Sequence, residues 1–104
     1  MTQLTTAFLG VAHIHTPGFI NTLKRRAEEI RVKAVTDHDA ERGQRRAQEL
    51  PGSVFAADPQ TILDDSEITS VIICAETSRH RELVLAAAKA GKHIFCEKPL
   101  GLVA

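Results

Sequence analysis

Apolar and polar positions along the chain follow two rhythms, short apolar runs and helix-spaced apolar positions, and the rhythm switches repeatedly. Ala7, Phe8 and Leu9 form an apolar run that stops at Gly10 and resumes at Val11. Polar residues then turn the chain, and Thr16-Pro17 opens a helix, with Thr16 as N-cap and Pro17 at the first helical position. Phe19, Ile20, Leu23, Ala27 and Ile30 recur at helical spacing, predicting a helix from Pro17 to about Glu29 with Lys24, Arg25 and Arg26 outward. Val32 to Thr36 is a short β-branched run. Asp39 then caps a second helix through Leu50, weakened at Gly43 and stopped by Pro51-Gly52. Val54 to Ala57 is a brief third strand, and Asp58-Pro59 starts a short helix through about Leu63. Ser70 to Ala75 is apolar on both faces, as expected of an internal strand in a parallel sheet. Ser78 caps the next helix, with Leu83, Val84, Ala87 and Ala88 on its apolar face and Gly91 as its C′ residue; His93 to Cys96 is the fifth strand. The alternation argues for an α/β fold, a doubly wound parallel sheet ordered 3-2-1-4-5 with right-handed crossovers. Gly10, Asp37, Ala57, Ala75 and Cys96 then end their strands at one crevice.

Composition narrows the picture. A chain of 104 residues with 43% hydrophobic content suits one core. Formal charge is zero, with 13 basic and 13 acidic residues, and the basic ones are scattered. Nothing in that pattern recruits nucleic acid or an anionic membrane. No apolar run approaches the roughly 20 residues of a membrane helix, and no signal-peptide pattern opens the chain, so a cytoplasmic location is expected. Cys74 and Cys96 each end an apolar run and read as buried small hydrophobes in a reducing compartment. A disulfide between them requires their strands to be neighbours.

The strand, glycine turn and helix around Gly10 would aim unpaired N–H groups and the positive end of a helix dipole at the crevice, where a pyrophosphate can sit. In the register of the dinucleotide fingerprint the three glycine positions read Gly10, Ala12 and His15. Ala12 keeps a small residue where backbone approaches the pyrophosphate. His15 replaces the glycine that lets helix and strand pack closely, which loosens the expected site. Asp37 lies 22 positions beyond His15 at the end of the second strand, where an acid binds the ribose 2′-OH. A carboxylate there repels a 2′-phosphate; Arg42 is placed to reach toward one, but Asp37 tilts the choice from NADP to NAD. As a plain loop residue, Asp37 would instead cap a helix.

The segment Gly91-Lys92-His93-Ile94-Phe95-Cys96-Glu97-Lys98-Pro99, with Ser70 to Ala75 and His80, resembles the signature of the glucose–fructose oxidoreductase, inositol dehydrogenase and rhizopine-catabolism (Gfo/Idh/MocA) family. The resemblance spans essentially the whole chain. It implies a Rossmann-like domain binding NAD or, less favoured here, NADP. It also implies a Lys98 beside the nicotinamide ribose and the substrate hydroxyl, a Pro99 after a cis bond, and a His80 bordering the nicotinamide. An alcohol losing hydride needs a proton acceptor, and a lysine near a positive nicotinium has its pKa lowered toward that task. Glu97 would orient Lys98. Where relatives commonly carry Ala-Thr-Pro, this chain has Ala75-Glu76-Thr77, an acid near the nicotinamide edge. Cofactor contacts are therefore expected at Gly10, Ala12, His13, His15, Asp37, Ala75, His80, Glu97, Lys98 and Pro99, with Lys98 catalytic.

The expected reaction is hydride transfer between nicotinamide and a secondary alcohol of a sugar, cyclitol or polyol, in a homo-oligomer. The family continues with a sixth strand and a large α/β domain, so residues 1–104 read as an incomplete cofactor-binding domain, inactive alone and without its substrate domain. The last strand is then an exposed apolar edge that invites self-association. Two other classes stay open. One is a non-catalytic dinucleotide-binding module. The other is a metal-dependent hydrolase fragment in which His13-x-His15 supplies two imidazole ligands, although His38, His80 and His93 form no obvious pattern with them.

Overall fold

The computed structural model describes residues 4–11, 16–26, 28–50, 52–74 and 77–96, without the side chains of Thr16, Pro17, Phe19, Thr77, Ser78, His80 and Cys96. Within them, strands β1 (Leu4–Leu9), β2 (Ile30–Thr36), β3 (Val54–Phe55), β4 (Ser70–Ile73) and β5 (His93–Cys96) alternate with helices α1 (Thr16–Arg25), α2 (Ala40–Gln48), α3 (Pro59–Leu63) and α4 (Thr77–Lys89). All five strands are parallel, in the order β3-β2-β1-β4-β5, as the alternation predicts.

Each face of the sheet buries its own apolar set. Ala7, Leu9, Ala34, Val71 and Ile73 meet Ile62 and Leu63 of α3 and Ala87 of α4. Phe8, Val32, Val35, Ile72 and Cys74 meet Ile20 and Leu23 of α1 and Ala47 of α2. Residues 71–74 thus feed both cores in turn, and all four are buried, which is why this stretch is apolar throughout. Cys74 is fully buried in the second of these cores, as a small hydrophobe is expected to be. At the outer edge β5 leaves Phe95 61% exposed.

Helix ends follow capping chemistry where the side chains are described. Asp39 accepts from Arg42 N (3.2 Å) and Asp58 from Gln60 N (2.9 Å). Gly91, at φ +76°, closes α4: its N–H reaches Ala88 O and that of Lys92 reaches Ala87 O, both at 3.1 Å.

Several boundaries differ from the sequence reading. The first helix stops at Arg25, because Glu29 O accepts the Leu4 N–H and Ile30 already pairs with Leu4 in the sheet. Thr16 is the first helical residue rather than the cap, and α4 is already running at Thr77, which puts Ser78 inside its first turn. The third strand is two residues long, and the fourth ends at Ile73. β2 also breaks the two-residue period: Thr6 pairs with Val32 but Ala7 with Ala34, so Lys33 is the extra residue of a bulge. The bulge puts Val32 and Val35, three apart, in the same core.

Candidate cofactor-binding site

The strands end together at the edge the sequence points to. Gly10 leaves β1 at φ +89°, a conformation glycine adopts without a steric penalty. Its N–H donates to Thr36 O (2.8 Å) and its carbonyl accepts from Cys74 N (3.2 Å), so the turn is tied to the ends of both neighbouring strands. A cavity of about 250 Å³ opens here, lined by Gly10, Thr36, Asp37, His38, Ala57, Pro59, Arg79, Glu82 and Leu83. Gly10, Asp37 and Ala57 are therefore brought together as expected. His38, Pro59 and the α4 side chains Arg79, Glu82 and Leu83 were not expected at this cavity, since no local motif marks residues that meet only through the fold.

Asp37 is the most constrained polar group of the site, with 1% of its side chain exposed. Oδ1 accepts from Val11 N (2.9 Å), in the turn after β1. Oδ2 accepts from Asp39 N (3.0 Å) and from Arg42 Nε (2.9 Å), with Arg42 Nη2 at 2.7 Å. His38 Nδ1 stands 4.0 Å from the same oxygen. A buried carboxylate needs such partners, because an unpaired charge in the interior costs several kcal/mol. The carboxylate thus joins the glycine turn to the start of α2.

Gly43, read from sequence as a weak point of α2, has a packing reason. A Cβ there would lie 2.8 Å from Phe55 Cδ1, closer still to Cε1, and 3.3 Å from the Asp37 Cβ. The missing side chain lets α2 lie close to β3 and brings Arg42 over Asp37.

Ala12, His13, His15, Ala75, Glu97, Lys98 and Pro99, with the cis bond expected before Pro99, lie outside the described residues, as does the side chain of His80. Among the described residues no cluster of three or more His, Cys, Asp or Glu gathers to hold a metal, and no helix is long and apolar enough to cross a membrane.

The oxidoreductase family with an NAD-binding Rossmann fold matches residues 4–103. The chain belongs to the Gfo/Idh/MocA family. Inositol 2-dehydrogenase 2 of Saccharopolyspora erythraea is 38% identical over 81 residues, 78% of this chain and 24% of that protein. The inositol 2-dehydrogenase of Mycolicibacterium gilvum is 32% identical over 100 residues, 96% of this chain and 28% of that one. Among solved structures, levoglucosan dehydrogenase in complex with NADH and levoglucosan superposes with a TM-score of 0.83 at 25% identity, covering 95% of this chain and 28% of that one. The chain spans about a quarter of the length of these Gfo/Idh/MocA relatives. The residues described fit an NAD-binding site: a left-handed glycine and a carboxylate meet at a cavity beyond the carboxyl ends of the strands.

Proposed function

We propose that residues 1–104 form the cofactor-binding part of an NAD(P)-dependent oxidoreductase acting on a secondary alcohol of a sugar, cyclitol or polyol. The observation that carries the reading is the link from Asp37 Oδ1 to Val11 N, which sets the ribose-binding acid against the glycine turn. Gly10 and Ala12 leave room for backbone to approach the pyrophosphate, with His13 and His15 at the mouth. The ribose sits by Asp37. The cavity between Ala57 and Leu83 takes the adenine; at about 250 Å³ it is sized for one end of a dinucleotide rather than the whole.

Bound nicotinamide supplies the hydride acceptor. Lys98 takes the proton of the alcohol, Glu97 orients it, Pro99 fixes the turn, and Ala75 and His80 border the nicotinamide. The Glu-Lys-Pro segment after β5 supports these roles. The substrate class rests on the similarity to inositol 2-dehydrogenases and levoglucosan dehydrogenase. Substrate-contacting residues lie in a further domain of the kind those longer relatives have room for, and a homo-oligomer follows from the same resemblance. The open edge of β5 with exposed Phe95 gives the chain a surface for self-association.

The test is a fluorescence titration of NADH and NADPH into the chain. It contains no Trp and no Tyr, so protein background is low. Saturable binding, tighter for NADH, with no polyol-dependent NADH formation by these residues alone, is the expected result. A folded sample that binds neither nucleotide contradicts the reading, and a response that requires zinc revives the His13-x-His15 alternative.

A further inference from the structure

Helix α4 turns Leu83, Val84 and Ala87 toward the sheet, yet on its outer side Leu85 is 53% exposed. Beside Leu85 lies a shallow groove of about 590 Å³ lined by Glu82, Leu85, Ala86, Ala88 and Lys89. Glu82, Leu85, Ala86 and Lys89 are spaced i, i+3, i+4 and i+7, so they share one stripe of the helix. Four positions so spaced outline the hole that receives a side chain from a facing helix. Ala86 and Ala88 leave that hole unfilled, and Leu85 stands beside it as a knob. The two ends of the stripe differ in sign. Glu82 is 68% exposed, with Arg79 no closer than 3.7 Å, and Lys89 lies exposed in the last turn. An identical stripe laid antiparallel across this one, about a two-fold axis between Leu85 and Ala86, sets each Glu82 opposite the other copy's Lys89 and each Leu85 opposite Ala86. A parallel stripe would instead set Glu82 on Glu82 and Lys89 on Lys89. The charges therefore select orientation and register, and the surface they select is complementary to itself.

We propose that the outer face of α4 is a docking surface for a second copy of this chain, helix against helix, antiparallel about Leu85 and Ala86. The surface is separate from the open edge of β5, and it holds whether or not the chain binds a dinucleotide. Opposed helix dipoles favour the same orientation. A seam of 13 helical residues falls short of the roughly 800 Å² per partner buried in a standard interface, so the dimer is weak, with a dissociation constant of about 0.1–1 mM. Glu82 lines the cofactor cavity as well as the groove, which places Lys89 of the docked copy at the rim of that cavity.

Sedimentation equilibrium of the chain up to about 1 mM, at low and at high salt, reads the association directly. The wild type is expected to dimerise, and less so at high salt. Leu85→Glu buries two carboxylates in place of two leucines per dimer and should raise the dissociation constant by about thirtyfold or more. Glu82→Lys and Lys89→Glu each convert two attractive pairs into two repulsive ones, so each alone should weaken the dimer by about tenfold. Mixed in equal amounts, these two charge variants restore both pairs in a heterodimer, and association should return to within about threefold of wild type. All three positions are exposed, so the variants keep the fold, which circular dichroism checks. A wild type that stays monomeric throughout the range overturns the proposal. So does association that survives Leu85→Glu and both charge reversals, since it then runs through another surface such as β5. A mixture that associates no better than its two components overturns the antiparallel register and with it the proposal. None of these outcomes touches the cofactor reading, which nucleotide titration tests by itself.

Discussion

The two edges of the sheet each carry a carboxylate matched to a cation, yet they are built for different ends. Where the strands begin, Lys33 reaches Asp65 and Glu67, each at 2.6 Å, and Lys92 donates to the carbonyls of Asp65 (2.8 Å) and Ile68 (2.5 Å). This network pins the turn before β4 against the sheet. Lys33 and Asp65 remain 27% and 25% exposed, so water shares the work of solvating them. Where the strands end, Asp37 is withdrawn almost entirely from water and lines a cavity. Partly exposed pairs contribute little and screen readily, whereas a buried charge makes its partners obligatory. The first edge closes the fold. At the second, a ligand has to negotiate with a charge already in use.

The comparison is broken most sharply at Asp37. Asp37→Ala removes the acceptor for two backbone N–H groups and leaves Arg42 without its carboxylate, so a loss of about 3–5 kcal/mol is expected in denaturant unfolding. A loss below about 1 kcal/mol would show that the edge does not depend on this charge. Gly43→Ala is the next largest. Pushing Phe55 aside costs about 1–3 kcal/mol, against a helix-propensity gain of up to about 1 kcal/mol. The variant should be mildly destabilised in thermal melts; a stabilised one would mean that α2 has room to shift.

The smallest effect belongs to the opposite edge, and it depends on pH. The hydrogen bond from Lys33, then that from Glu67 N, holds the Asp65 carboxyl below the usual carboxylate range. Asp65 also holds Lys33 above the usual lysine value, with Glu67 adding to it. A lowered acid pKa contributes stability above the unfolded value, near 3.9, that is lost as pH falls through the folded value. A raised lysine pKa contributes stability that is complete below its unfolded value and is lost as pH rises through the folded one. Asp65→Asn should therefore lower stability at neutral pH by less than either change above, with the difference from wild type shrinking below about pH 4 and in high salt. A difference that persists at acid pH would contradict the pairing.

Strand order, both core faces and the glycine turn were legible from the chain because each rests on local signals: apolar runs, caps and a left-handed glycine. The end of α1 was not, because Ile30 falls on the helical period by coincidence and is claimed instead by pairing with Leu4. Nor was the bulge at Lys33, which depends on register against β1. At the site, Asp37 was visible by its spacing and Arg42 as a possible phosphate contact, but their union was not. It depends on Val11, 26 positions away, and on the absent side chain of Gly43, which from sequence reads only as a helix defect.

Strand β1 sits between β2 and β4. Its partners on the second side begin 64 positions later in the chain, where Thr6 Oγ1 donates to the Ser70 carbonyl at 3.0 Å. A ribosome therefore delivers the central strand first and its second neighbour much later. In that interval β1 is paired on one side only, with Ala7 and Leu9 lacking the α3 and α4 residues that will cover them. An open strand edge beside uncovered apolar surface is the form in which a chain pairs with the wrong neighbour. Thus the topology that gathers the strand ends into one crevice also makes the middle of the sheet wait longest for completion during synthesis.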